Sequence, residues 1–227
     1  MQRAIAFALA ATSIWSLLVE FYGLMSMRTF ALWVCCPAMI ALVIWAMVDR
    51  GGIRGIIWIG AVAGLLAACA YDVFRLPFVF AREWHIDSVV PALPLFRVFP
   101  EFGAHILGNH GIRFVGTLLN RPMSFLEHAR GYSMAEHFVG WAYHFSNGIT
   151  FGIMYLALIG DAVKRSWLWA VAFAVGLEIA LLVTPYASFF GIARTPTFVA
   201  VTLSAHGVFG VVMGLTARAH WKRGPTR

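Results

Sequence analysis

Five side chains in this chain could do chemistry where their surroundings argue against them. Asp72, Arg75, His144, Glu178 and His206 all stand in otherwise apolar stretches. An acid or arginine at the centre of a membrane helix costs roughly 2.5–3.5 kcal/mol on insertion scales, so such residues face inward and pair with one another. Two imidazoles and two carboxylates are a donor set suited to iron or zinc, with a position left open for water or substrate. On that reading His144, His206 and Glu178 are the first ligands. Asp72 is a fourth ligand or a catalytic base. Arg75, one helical turn beyond Asp72, holds an anionic head group or a developing negative charge.

The neighbours share the pattern. In HFSNGITFGIMY (144–155) and the residues before it, His137, His144, Asn147, Phe151 and Tyr155 recur at helical spacing. His137 and His144 are two turns apart, about 10.5 Å, too far to ligate one ion together. His137 is therefore expected at an entrance, with Asn147 and Tyr155 lining the same pocket. Counting inward from the nearer end of each apolar stretch puts Asp72, His144, Glu178 and His206 all on the order of 10–17 Å deep. A shared site explains that common level.

Other chemistries use the same residues. His144 and His206 could be the axial pair of a b-type haem, with Phe145, Phe151 and Phe209 nearby. The acids and imidazoles could relay protons in a small transporter, although no inverted repeat or pair of broken spans is read. They could also only fix helix register, Asp72 pairing with Arg75 within one turn. The HxxxH and HxxHH clusters of membrane desaturases are absent, as are HExxH and GxSxG.

These residues need elements to carry them, and composition says which. Of 227 residues 61% are hydrophobic and 12% charged, against about 25% charged in soluble domains. Apolar runs long enough to cross a ~30 Å hydrocarbon layer recur. Six spans are expected in one integral membrane domain, at about 4–25, 30–48, 56–80, 137–159, 167–189 and 197–217, in an all-α bundle. The first is read as a retained helix, since no small-x-small cleavage site follows it.

Positive charge sets the orientation. Arg3, Arg50, Arg54, Lys164, Arg165, Arg218, Lys222, Arg223 and Arg227 fall on one side; the short loops opposite hold only Arg28 and Arg194. Both termini are thus expected in the cytoplasm of a cell inner membrane. The net charge of +7 is spent on this bias, and no basic stripe interleaved with aromatics points to nucleic acid. Cys35, Cys36 and Cys69 show no zinc spacing and are expected to be buried free thiols.

The outward connection, 81–136, contains an apolar stretch at 89–108 broken by three prolines and interrupted by Arg97, Glu101 and His105. It reads as an interfacial or re-entrant segment over the helices. EWHID (83–87) reads as a lid contact, whereas His105, His110, His128 and His220 read as peripheral. Glu20 is expected to pair with Arg28. Pro77 and Pro185 are expected to kink spans three and five and widen an outward-facing vestibule. Gly60 and Gly64, Gly148 and Gly152, and Gly210 and Gly214 form GxxxG pairs in the spans with the polar residues, which predicts close helix approach. No internal repeat is read.

YDVFR (71–75), HFSNGITFGIMY and AHGVFGVVMG (205–214) resemble the pattern of small uncharacterised bacterial inner-membrane proteins, over roughly residues 55–217. The resemblance implies a multi-helix membrane fold and brings no activity. The functional expectation is an intramembrane His/carboxylate site, either in a metal-dependent enzyme acting on a lipid-soluble or small substrate or in one of the alternatives above. The expected partners are the bilayer, a lipid-soluble substrate or other membrane subunits.

Overall fold

A computed structural model describes residues 1–49, 51–109 and 131–223. Arg50, His110, His128 and Arg227 lie outside the described residues, as does most of the connection beyond Asn109. Among the described residues all regular structure is helical: α1 (Gln2–Phe21), α2 (Met27–Val48), α3 (Gly52–Val79), α4 (Val98–Leu107), α5 (Met134–Ile159), α6 (Leu168–Leu182), α7 (Tyr186–Phe189) and α8 (Pro196–Arg223).

Each expected span overlaps a helix, but the helices are not equivalent. Among the described residues four are long and apolar enough to cross a membrane: α1, α2, α3 and α8 to Lys222. α5 is long enough at 26 residues, yet His137, His144 and Asn147 dilute its apolar character. α6 has 15 residues, about 22 Å of helix at 1.5 Å per residue. It ends at Leu182 because Pro185 has no N–H to continue the ladder, and the chain restarts as α7.

Local chemistry fixes the ends. Ser133 caps α5: its hydroxyl receives the Glu136 N–H, and the Glu136 carboxylate receives the Ser133 N–H at 2.6 Å. α4 stops at Gly108, whose φ of 79° suits a residue without a side chain. In α2 the turn Ala31–Cys35 widens to π geometry immediately before Pro37, where a regular ladder would fail.

Packing follows the small residues. α3 lies against both α5 and α8, α8 against α6, and α1 and α4 against α5, while α2 sits at the periphery. A Cβ on Gly64 would overlap the Gly148 carbonyl, and one on Gly152 the Gly60 carbonyl. α3 and α5 therefore touch backbone to backbone. On α8, a Cβ at Gly210 would sit 2.5 Å from Val171 Cα of α6, and one at Gly214 would be 2.8 Å from Trp167 O. All three GxxxG pairs are helix contacts. α1 joins α5 by a polar seam: Tyr143 donates to Ser13 O at 2.7 Å and lies 2.8 Å from Ser16 Oγ, and Ser13 Oγ lies 2.7 Å from Thr150 Oγ1.

Candidate functional site

The polar residues are set where these seams end. Asp72 stands two turns after Gly64, and His144 one turn before Gly148, so the backbone contact below delivers one to the other. His144 Nε2 lies 2.9 Å from Asp72 Oδ2. The Arg75 guanidinium lies 3.6 Å from the other Asp72 oxygen and donates to Leu95 O. Where the Asp72 oxygen accepts, His144 Nε2 is the donor. In that tautomer Nδ1 is the free ring nitrogen, with no hydrogen-bond partner among the described residues. A carboxylate orienting an imidazole in this way makes a base.

The second pair has the opposite tautomer. His206 Nδ1 lies 3.0 Å from the Thr202 carbonyl, which can only accept, so Nδ1 carries hydrogen. Its Nε2 faces Glu178 Oε2 at 3.5 Å. An imidazole lone pair and a carboxylate both accept, so this approach is favourable when one proton lies on either of them. Such a pair can share one proton.

His144 of the first pair and both members of the second border one cavity of about 100 Å³, lined also by Tyr71, Arg75 and Asn147 among apolar neighbours; Asp72 stands behind His144. Arg75 is held among rings, its guanidinium carbon 4.5 Å from the Tyr71 centroid, 5.0 Å from Phe96 and 5.4 Å from Phe99. Its side chain is 4% exposed. Nε and Nη1 nevertheless make no hydrogen bond, and neither does Asn147 Oδ1. Buried groups left unpaired around a cavity ask for a ligand or water.

α4 closes the cavity at one end. Gly140 lies against the Phe99 carbonyl, and Gly103 against the Glu136 carbonyl, so closely that a Cβ at either would overlap backbone. Phe99 stacks on His144 at 4.1 Å. Phe102, Phe189, Phe190 and Phe21 extend the cap, Phe102–Phe190 at 5.2 Å and Phe21–Phe189 at 5.0 Å. The segment expected to be interfacial or re-entrant thus packs as a helix against α5, and aromatic rings cover the end where an open vestibule was expected.

Each sequence-read residue can now be placed. Asp72, Arg75, His144, Asn147, Glu178 and His206 gather here. His137 does not line the cavity and has its ring against Tyr132. Tyr155, 1% exposed, packs against Phe173 away from the cavity. Glu20, expected to pair with Arg28, lies 3.1 Å from His105 Nδ1 and also accepts the Met27 N–H. Sequence reasoning missed Tyr71, Phe99, the α1 residues Ile14 and Leu17 that line the cavity, and buried Glu136, to which Asn109 donates at 3.0 Å.

The donor set was also tested for a metal. Among the described residues no three His, Cys, Asp or Glu side chains are placed to hold one ion. Each imidazole Nε2 is turned to a carboxylate, which is equally the obstacle to bis-histidine haem ligation. As arranged, the residues do not fit a resident metal.

Fold and site together define an all-helical protein with membrane-length apolar helices and a buried acid–base cavity. No known protein family, no curated protein and no solved structure matches the chain.

Proposed function

We propose that the chain is a six-span inner-membrane protein, termini in the cytoplasm, that binds a small or lipid-soluble substrate and exchanges protons with it. Asp72–His144 serves as the oriented base, Glu178–His206 as the proton carrier, and Arg75 with Asn147 as the positioning groups. The observation that carries this reading is the cavity that His144, Glu178, His206 and Arg75 all line, with Arg75 Nε left without a hydrogen bond. A network kept only for helix register would satisfy its own members. α5 and α6 then cross as spans four and five, their polar faces turned to the cavity and not to lipid.

The test is infrared and imidazole ¹⁵N spectroscopy of the protein in nanodiscs across pH. A protonated-carboxyl band is expected that Glu178→Gln removes and His206→Ala shifts, and His144 should report the Nε2–H tautomer. Elemental analysis and a visible spectrum run alongside. Stoichiometric iron or zinc lost in His144→Ala and His206→Ala would replace this reading with a metal enzyme, and a Soret band with a haem protein. Well-folded variants lacking any spectral change would leave helix packing as the role.

A further inference from the structure

A second cavity, about 310 Å³, lies between α1 and α6 and is bounded by Phe7, Ala11, Trp15, Met154, Leu177 and Ala180. Its walls are apolar except for Thr184 and for Glu178 and His206, which appear again here. Ile14, Phe151 and Leu181 also border both cavities. The cleft exists because α1 packs on α5 and not closely on α6. Trp15 (54% exposed) and Ala180 stand at its mouth. With the α4–α7 end roofed by aromatics, the cleft leads sideways from the hydrocarbon face of the bundle to the polar pair.

We infer that this cleft takes the tail of a single-chain carboxylic amphiphile, a long-chain fatty acid, whose carboxyl reaches Arg75 and Asn147. The inference rests on the acid–base reading above and names its substrate class. Size restricts the head: about 100 Å³, where one water needs ~10–15 Å³, admits a carboxyl and adjoining methylenes but not a phospholipid head. Charge restricts it further, because Asp72 and Glu178 already border Arg75 and would repel a dianion. A carboxyl offers acceptor oxygens to the unpartnered Arg75 N–H groups. When protonated by the Glu178–His206 pair, it also offers a donor to Asn147 Oδ1.

The test uses the full chain in phosphatidylcholine nanodiscs with a photoactivatable long-chain fatty acid as probe. Label is expected on peptides holding Ile14–Leu18 and Leu177–Thr184, competed by an unlabelled fatty acid but not by the alcohol of equal length. Ala180→Trp, at the exposed mouth, is expected to abolish that label without disturbing the fold. Arg75→Gln should weaken competition by about tenfold or more, the loss of a charged hydrogen bond. Label spread over the outward faces of α2 and α8, or equal competition by the alcohol, overturns the inference. The Glu178 carboxyl band, recorded on the unliganded protein, separates the two readings. If the band is present while site-specific label is absent, only the fatty-acid inference fails. If label is present without the band, the proton-carrier role fails.

Discussion

Gly148→Ala is the sharpest perturbation of the site, because it acts through backbone distance without touching a polar group. The added Cβ would lie 2.6 Å from Ala68 Cβ and 3.1 Å from Gly64 O, where ordinary contact begins at 3.4 Å. Neither neighbour is a flexible side chain, so α3 and α5 must separate by about 0.8 Å at this level, an overpacking cost of ~1–3 kcal/mol. His144 is one turn from the wedge. Carried along, its 2.9 Å contact with Asp72 opens to about 3.7 Å, beyond hydrogen-bond reach.

Two readouts follow. Reversible unfolding in mixed micelles should show the stability loss, and the ¹⁵N spectrum of His144 should lose its fixed Nε2–H tautomer. Ala68→Gly removes the nearer obstacle, so adding it to Gly148→Ala should restore part of both signals, a coupling that a double-mutant cycle measures. Gly176→Ala, whose Cβ would meet nothing within 4 Å, is the matched control and should be neutral. Strict additivity of the two substitutions, or an unchanged His144 spectrum in Gly148→Ala, would refute the backbone contact as what sets the pair.

Other outcomes are expected elsewhere. Arg75→Met leaves Asp72 buried without its counter-charge and should cost about 3–5 kcal/mol in unfolding free energy, part of it recovered by adding Asp72→Asn. Tyr143→Phe removes the hydroxyl from the α1–α5 seam and should cost ~0.6–1.7 kcal/mol, the range for hydrogen bonds between membrane helices. Gly140→Ala should lift α4 from α5 and unstack Phe99 from His144, seen as a change in Trp141 fluorescence, since that ring lies 4.4 Å from Phe99. Glu101, on α4, has its pKa raised, chiefly by burial and against the pull of Arg97. The folded state therefore binds its proton more tightly than the unfolded chain. Its stabilising contribution is full below the ordinary carboxylate value and is lost as pH rises through the raised one. Unfolding midpoints against pH should show that decline in the wild type and not in Glu101→Gln.

How much of this was legible in the sequence depends on what a helical period encodes. Spacing gives azimuth: His137, His144, Asn147 and Tyr155 share a face, as read. It does not give depth, and Tyr155 lies eleven residues, about 16 Å, along the axis from His144, so it falls outside the cavity. Nor does it show what lies across a face. The three prolines of the 89–108 stretch erase the pattern that would have marked α4 as an inserted helix, and α1 carries no titratable residue at cavity level to advertise Ile14 and Leu17. Segment length, by contrast, was plain, except where Pro185 cuts α6 short.

The division into two pairs, rather than one four-donor cluster, was written in the sequence but needed the contacts to be seen. α3 reads Gly60, Gly64, Ala68, Asp72 at four-residue steps, and α6 reads Ala170, Ala174, Glu178. α5 answers with His144, Gly148, Gly152, and α8 with His206, Gly210, Gly214. In both cases a small-residue ladder ending in an acid meets a glycine ladder beginning with a histidine, and the close contacts run along the two seams: Gly152 on Gly60 and Gly64, Gly210 and Gly214 on Ala170 and its neighbours Trp167 and Val171. No internal repeat was read because the intervening residues differ and the segment between α3 and α5 is far longer than that between α6 and α8. Each ladder brings its acid to its own histidine, and this pairing withholds the donors from a common ion. What the two units share is the space between them, where Arg75, present only in the first, is ion-paired to Asp72 yet keeps Nε without a hydrogen bond.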